Sequence, residues 1–286
     1  MFNSARSLGF SDEAELKDRC QIQFLAQLMR QGADRFVLKG GLAMRALYGS
    51  ARLTKDVDFD CDDSLSPQSM KNQLPRALRA AARSAGLTNP EVVQTKDGER
   101  ACRWRLDVDL LGGTRRMSYD VEISRRGLPP APYIETTTLR SPPDYRIPPF
   151  VVRVYTPAAM AAGKVSALLS DNRNVPRDVY DIHELAQNAA DPTKLWIDHI
   201  PRELLERKRA VVWHKILGIG FDLANSELLP WLAPGVRDTI NAEHWDDIRQ
   251  SVANTVDNWF KVAIPQSAPA EEHGRDPQAE ADLAGR

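Results

Sequence analysis

Between residues 36 and 60 the chain runs from an apolar segment through two glycines into a short helix, then into alternating aspartates. Phe36-Val37-Leu38 predicts a strand and Lys39-Gly40-Gly41 a turn. Leu42 to Tyr48 predicts a short helix closed by Gly49. Asp56-Val57-Asp58-Phe59-Asp60 has the period of two that marks a strand. That period puts Asp56, Asp58 and Asp60 on one face and Val57 and Phe59 on the other. Strand, helix and strand this close together place a sheet with helices in this half of the chain, and with the all-helical pattern of the second half the fold class expected for the whole chain is α+β.

The same stretch has a chemical reading. Glycines without side chains let backbone N–H groups approach an anion, and a helix starting there adds its N-terminal donors and dipole. Lys39, Arg45 and Arg52 bring positive charge to the region, and Thr54 leads into the aspartates. Carboxylates sharing a strand face repel one another unless a cation lies between them, and hard oxygen donors suit Mg²⁺ or Mn²⁺. A phosphate cradle beside such a pair is the minimum apparatus for nucleotidyl transfer, in which metal polarises the α-phosphoryl group and neutralises leaving pyrophosphate. A Gly-Gly or an Asp-x-Asp alone marks ordinary turns and solvated strands. Their order and short spacing here carry the signal.

The rest of the chain falls into two halves. An amphipathic helix at 13–31 precedes the motif, with Gly32 as its stop. A helix from Ser66-Pro67 to about Ala85 follows it. Strands are expected at 91–95, 102–111 and 117–124, the last two as a hairpin around Gly112-Gly113. Residues 127–149 hold seven of the nineteen prolines and read as an extended connection. After a strand at 151–155 the pattern turns helical, at about 157–170, 176–189, 193–217, 236–243 and 245–260. We therefore expect an N-terminal helix (1–29), a mixed-sheet domain (30–150), a C-terminal helical domain (151–265) and a disordered acidic tail (266–286).

In the helical half, Asn172 to Arg177 reads as a loop, with Asp178 in the first turn of the next helix. Asp178 and Asp181 share a helix face. Arg177 can pair with Asp181 or reach a phosphate. Lys164 lies among small residues, Ala158, Ala159, Ala161, Ala162 and Gly163, that permit close packing. Arg202, Arg207, Lys208 and Arg209 form a basic stretch that reads as an RNA-backbone track or as a solvated face. Five tryptophans lie beyond residue 190, and core packing is expected for most of them.

These motifs resemble the AbiEii/AbiGii nucleotidyltransferase toxins of type IV toxin–antitoxin and abortive-infection systems, within the DNA polymerase beta-like nucleotidyltransferases. The family pattern is matched by Lys39-Gly40-Gly41-Leu42-Ala43, Tyr48-Gly49, Arg52, Thr54 and Asp56-Val57-Asp58-Phe59, and far downstream by Lys164 and Arg177-Asp178-Val179-Tyr180-Asp181-Ile182. The resemblance spans roughly residues 36–185. It implies a nucleotidyltransferase-type sheet domain with a helical domain and an active site in the cleft. It makes Asp56 and Asp58 the metal ligands and catalytic carboxylates. Lys39, Gly40, Gly41, Arg45, Arg52, Thr54, Arg177 and Asp181 become substrate contacts, Lys164 a phosphate neutraliser, and Asp178 an essential carboxylate that acts near the acceptor or as a base. It also implies a third metal carboxylate on a later strand. The candidates are Asp107, Asp109, Asp120 and Glu122, of which we favour Glu122, on a strand followed by Arg125 and Arg126. Leu42 departs from the family, which has Thr or Ser there. The resemblance further implies an NTP substrate, Mg²⁺ or Mn²⁺, a tRNA 3′ end as acceptor, arrest of translation, and a cognate winged-helix DNA-binding antitoxin. A catalytically weak NTP-binding regulatory module and a transferase acting on a small molecule are the competing readings.

Composition narrows the class. A net charge of −1 argues against a generally basic nucleic-acid coat while leaving room for a local basic cleft. Cys20, Cys61 and Cys102 are too few and too scattered for a disulfide scaffold or a zinc site, and the five histidines are dispersed. No apolar run reaches the roughly 18–20 residues a bilayer span needs. With no apolar segment at residues 1–12 either, a cytoplasmic protein without membrane partners is expected.

Overall fold

The first helix, α1 (Asp12–Met29), starts where the Ser11 side chain accepts the N–H of Ala14. It supplies Cys20, Phe24, Leu25 and Leu28 to the core. A computed structural model describes residues 2–32, 35–62, 64–110, 115–171 and 173–269 of the chain. Among them, β1 (Phe36–Lys39) runs into α2 (Gly40–Leu47), so both glycines are the opening residues of the helix itself. Next come β2 (Val57–Cys61) and α3 (Pro67–Ser84), the latter capped by Ser66 with proline in its first turn as its sequence predicts. The strands β3 (Thr88–Asp97), β4 (Ala101–Asp109) and β5 (Arg116–Ser124) follow. The turn expected at Gly112-Gly113 lies outside the described residues.

The proline-rich stretch is more structured than its sequence suggests. It holds β6 (Ile134–Leu139) between short 3₁₀ turns at Ala131–Tyr133 and Pro143–Tyr145. β6 pairs antiparallel with β7 (Phe150–Tyr155). Its polar sequence, Ile-Glu-Thr-Thr-Thr-Leu, fits its place as an edge strand.

Seven strands form one mixed sheet in the order β3-β4-β5-β2-β1-β7-β6. β1 is antiparallel to β2 and parallel to β7, and β2 is parallel to β5. One face is apolar and carries Phe36, Leu38, Phe59, Trp104, Leu106, Val121, Ile123 and Val154, all buried. The helix α1 packs there, with Phe24 edge-on to Phe59 at 6.3 Å and Cys20 Sγ 3.8 Å from the Tyr119 hydroxyl. The opposite face carries the charged members of the same strands. This alternation is what aims the aspartates of β2 away from the core.

From residue 156 the chain is helical: α4 (Pro157–Leu168), α5 (Pro176–Gln187), α6 (Thr193–His199), α7 (Arg202–Leu217), α8 (Phe221–Glu227), α9 (Pro234–Arg237) and α10 (Ala242–Ala263). The single helix expected at 193–217 divides because Pro201 lacks an N–H to continue it. The helix expected at 236–243 is replaced by the shorter, earlier α9 and the start of α10. The chain separates into two compact units, residues 1–155 with 233–235, and residues 156–232 with 236–286. The second has its own core, in which Trp196 stacks on Phe260 at 4.6 Å and buried Trp245 donates its indole N–H to the Ile219 carbonyl at 2.9 Å. Among the described residues no helix is long and apolar enough to cross a membrane.

Candidate active site

The turn between β1 and α2 is fixed by what surrounds it. Gly40 has φ +69°, a conformation L side chains rarely adopt, and a Cβ there would sit 2.3 Å from Asp58 Oδ2. A Cβ on Gly41 would lie 2.6 Å from Thr54 Oγ1 and 2.9 Å from Arg52 Nη2. The helix thus begins with bare backbone pressed against Asp58, Thr54 and Arg52. The loop beneath is braced from within. The Thr54 hydroxyl donates to the Asp56 carbonyl at 3.0 Å, and Arg52 donates to the Leu53 carbonyl at 2.9 Å. Arg52 and Thr54 are almost wholly buried, and Leu42 is fully buried in the core rather than facing the turn.

The sheet register places the charged row. Asp58 lies opposite Lys39 on β1 and opposite Glu122 on β5, so all three share a face. The Lys39 ammonium reaches Asp60 at 2.8 Å, and the Tyr155 hydroxyl donates to the other Asp60 oxygen. Burial pushes the Tyr155 phenol well above its usual range, aided by the Asp60 charge, so its proton stays in place.

The later-strand carboxylates are held by arginines. Arg103 grips Glu122, Arg105 binds Asp120 at 2.9 and 3.1 Å, and Asp109 receives Asn89 at 2.7 Å. Asp107 is half-buried on β4. Among the described residues no group of three or more His, Cys, Asp or Glu side chains is gathered so that it could hold a metal ion. The set Asp56, Asp58 and Glu122 is therefore not assembled as three ligands around one point. What fits a divalent cation is the donor chemistry of Asp56 and Asp58, hard carboxylates at alternate positions beside a side-chain-free turn.

Arg45, expected at the substrate, sits elsewhere. Its side chain is 2 % exposed and pairs with Asp18 at 3.1 Å. It also donates to the Asn3 carbonyl at 2.6 Å and lies under the Phe2 ring. Tyr145 donates to the same Asp18 oxygen at 2.6 Å. Arg45 follows the turn by one helical turn but faces inward, so its charge is spent in the interior.

The second unit has its own cluster. Lys164 on α4 is 2.9 Å from Asp178 and 2.6 Å from Asp181 on α5, and Arg173 approaches Asp178 to 2.6 Å. Both carboxylates are buried, Asp178 at 1 % and Asp181 at 0 % side-chain exposure. Burial by itself raises the Asp178 pKa, but the Lys164 and Arg173 charges outweigh it and hold the carboxyl at about 2. Arg177, also half-buried, has its Nε shut away from solvent.

Sequence reading missed Tyr155, Arg173 and Lys17. Lys17 lies on α1, where burial lowers its pKa and the nearby Asp56 charge opposes that shift. No motif marks it, since it reads as the polar side of an amphipathic helix. The basic stretch on α7 is largely spent on internal bonds. Arg202 donates to the Ser267 carbonyl at 2.9 Å, Arg209 pairs with Asp257 at 2.7 Å, and Lys208 reaches the Leu169 carbonyl at 3.4 Å.

A comparison with protein families matches residues 23–267 to the model of the nucleotidyl transferase AbiEii toxin, type IV TA system. The chain belongs to this family. It is therefore a nucleotidyltransferase, of a toxin family that implies an NTP substrate and a cognate antitoxin. Two Helicobacter pylori crystal structures share the fold of this AbiEii protein. One is of JHP933, with 17 % identity, 88 % of this chain and 95 % of that chain covered, and a TM-score of 0.59. The other is described as a nucleotidyltransferase, with 16 % identity, 88 % and 98 % covered, and a TM-score of 0.56. At such identities the likeness speaks for the fold, which is the mixed-sheet nucleotidyltransferase architecture expected from the motifs. No curated protein matches the AbiEii chain.

Proposed function

We propose that this AbiEii protein transfers a nucleoside monophosphate from an NTP to the 3′ end of a tRNA, releasing pyrophosphate and so blocking translation. The observation that carries the reading is the Gly40-Gly41 opening of α2 against Asp58, where backbone alone can face a phosphate. Gly40 and Gly41 offer main-chain N–H groups to the triphosphate, and Arg52 and Thr54 hold the loop that shapes the turn. Asp56 and Asp58 hold a divalent cation, Mg²⁺ or Mn²⁺. When bound, that cation supplies charge neutralisation at the α-phosphoryl group and at pyrophosphate. Lys39 stands beside the same row, its side chain 22 % exposed.

In the second unit, Lys164 neutralises phosphate charge. Its bonds to Asp178 and Asp181 fix the ammonium in one place. Asp178, kept ionised by Lys164 and Arg173, acts near the acceptor hydroxyl, and Arg177 provides a further phosphate contact. The family resemblance supports a tRNA acceptor and a winged-helix antitoxin as the partner.

Label transfer tests this. The protein is incubated with Mg²⁺, each α-labelled NTP in turn and total tRNA, beside an Asp56→Ala control. Label on tRNA that is lost in the control is the expected result and names the nucleotide. NTP binding without label on any RNA overturns the tRNA reading, and label on a small molecule redirects it.

A further inference from the structure

Helix α3 carries a one-sided charge that the site does not use. Between Asp63 and Glu91 the chain has no acidic residue, although 39 of its 286 residues are Asp or Glu. The same stretch holds Lys71, Arg76, Arg79 and Arg83. The apolar side of α3, with Met70, Leu74, Leu78 and Ala81, is buried and packs against α1, β3 and β4. Steps of three and four residues put Arg76, Arg79 and Arg83 in one row on the other side of the helix. All three are exposed. Along the axis they stand about 4.5 and 6 Å apart.

Ordinary roles do not account for the row. Lys71 is paired with Asp97 at 2.8 Å, but among the described residues Arg76, Arg79 and Arg83 have no carboxylate partner. Arg83 lies in the last turn, where it offsets the helix dipole. Arg76 and Arg79 lie further in, beyond the reach of that effect. The positive surface continues past the end of α3. There Ser84, Ala85 and Gly86 border a cavity of about 980 Å³ that Arg6, Arg19 and Arg146 also line. Its two carboxylates are Asp144 and Glu15, and Glu15 is already paired with Arg6 at 2.9 Å. Arg19 donates to the Ala85 carbonyl at 2.7 Å, and its buried Nε has no partner among the described residues.

Guanidinium groups in a row on a rigid helix suit a phosphate backbone, which each can grip through paired N–H groups. A protein partner would need an apolar centre to the contact, and no large exposed hydrophobic side chain lies on α3. A bilayer would need an apolar helix face, and that of α3 is buried. We propose that the Arg76–Arg79–Arg83 face of α3 is a docking surface for the phosphate backbone of an RNA duplex, the stem of the acceptor. The inference rests on the reading of the acceptor as tRNA. Because α3 packs beside α1 on the apolar side of the sheet, and Asp58 points to the other side, the row holds the body of the RNA and takes no part in transfer.

The test is binding of fluorescently labelled total tRNA to the full-length protein over about 50–200 mM salt, with label-transfer kinetics on the same samples. Arg76→Gln, Arg79→Gln and Arg83→Gln together keep good helix formers and remove the charge. Each lost phosphate contact takes about 0.7–0.9 from the slope of log affinity against log salt, so the slope should fall by about 2–3 and affinity near 0.1 M salt by at least about tenfold. The KM for tRNA rises accordingly, while kcat and the KM for NTP stay within about twofold. Arg76→Lys with Arg79→Lys and Arg83→Lys keeps the charge and should keep the slope. Lys194→Gln, Arg237→Gln and Lys261→Gln together remove the same charge from side chains that already face a carboxylate, and should weaken tRNA binding by less than about twofold. A parental slope in the triple glutamine variant overturns the proposal. So does an equal loss in the control triple, a fall in kcat at saturating tRNA, or tighter binding to duplex DNA or phosphatidylserine vesicles than to tRNA. A parent that binds no tRNA and labels a small molecule overturns the acceptor reading on which the proposal stands, a different result from any of these.

Discussion

Replacing Gly40 by alanine should separate two costs that usually travel together. Its φ of +69° charges an L residue roughly 1–2 kcal/mol of backbone strain. The second cost is contact. The new methyl would stand 2.3 Å from Asp58 Oδ2 and 3.0 Å from Asp58 Cβ and Cγ, so the side chain cannot simply rotate away and the carboxylate must retreat beyond 3.0 Å. Gly49 provides the control, with φ +76° and no atom within 4 Å of its would-be Cβ. Gly49→Ala should therefore show strain alone, a fall in Tm of about 2–8 °C at ~2–4 °C per kcal/mol, with transfer activity kept. Gly40→Ala should show at least that fall and lose activity by about a hundredfold, the scale on which a displacement of about 1 Å near reacting groups is felt. Differential scanning calorimetry and label transfer measure the two quantities on the same samples. If Gly40→Ala retains activity within about threefold of Gly49→Ala, the close approach of backbone to Asp58 does not matter to the reaction and the site has been misread.

Three further outcomes follow from buried groups. Asp178 titrates at about 2 in the folded chain against an ordinary 3.8, so its contribution of about 2 kcal/mol, at 1.36 per pH unit, is present above pH 4 and lost as pH falls through 2. The stability gap to Asp178→Asn, from urea unfolding at pH 5 and pH 2.5, should narrow accordingly, and a constant gap contradicts the assignment. Arg45→Met strands the Asp18 carboxylate, which burial already pushes toward protonation, and should cost about 3–5 kcal/mol, most of it regained with Asp18→Asn in the same chain. A loss below about 1 kcal/mol would mean that the Arg45–Asp18 pair contributes little to the fold. All three cysteines are buried and burial lifts the Cys20 thiol to about 12, so the native protein should react with a disulfide reagent only as fast as it unfolds.

Much of the fold was legible because it is written in local periods. Most of the alternation at 56–60 became β2, with Asp58 and Asp60 on the polar face and Asp56 just before the strand, and Ser66-Pro67 became a helix start. The nucleotidyltransferase-type fold followed from the family resemblance that the stretch from Lys39 to Phe59 carries. What stayed hidden depends on distant partners. Arg45 reads as a site residue until Asp18, Asn3 and Tyr145, which are remote in sequence, are seen to enclose it. Asp60 reads as a third equivalent aspartate until Tyr155 arrives beside it. Glu122 sits in register with Asp58, yet its partner is Arg103 on the next strand, a pairing no spacing rule exposes. β6 was missed because an edge strand need not be apolar, and the break at Pro201 because an apolar period ran on across it.

The pairing of β1 with β7 has a consequence for the timing of synthesis. Val37 meets Arg153, so β1, an interior strand of the sheet, waits for a partner made more than a hundred residues later. At about 5–20 residues per second, the ribosome takes roughly 6–25 s to cover that stretch. During that interval the glycine turn and the aspartate strand already exist as chain, but one edge of β1 is open, and Tyr155, which braces Asp60, has not been made. Such late, long-range closure slows folding and leaves an unpaired edge for other chains to meet. The segment bearing the motif is thus synthesised early, and the sheet that organises it is completed only when β7, more than a hundred residues further along the chain, has been made.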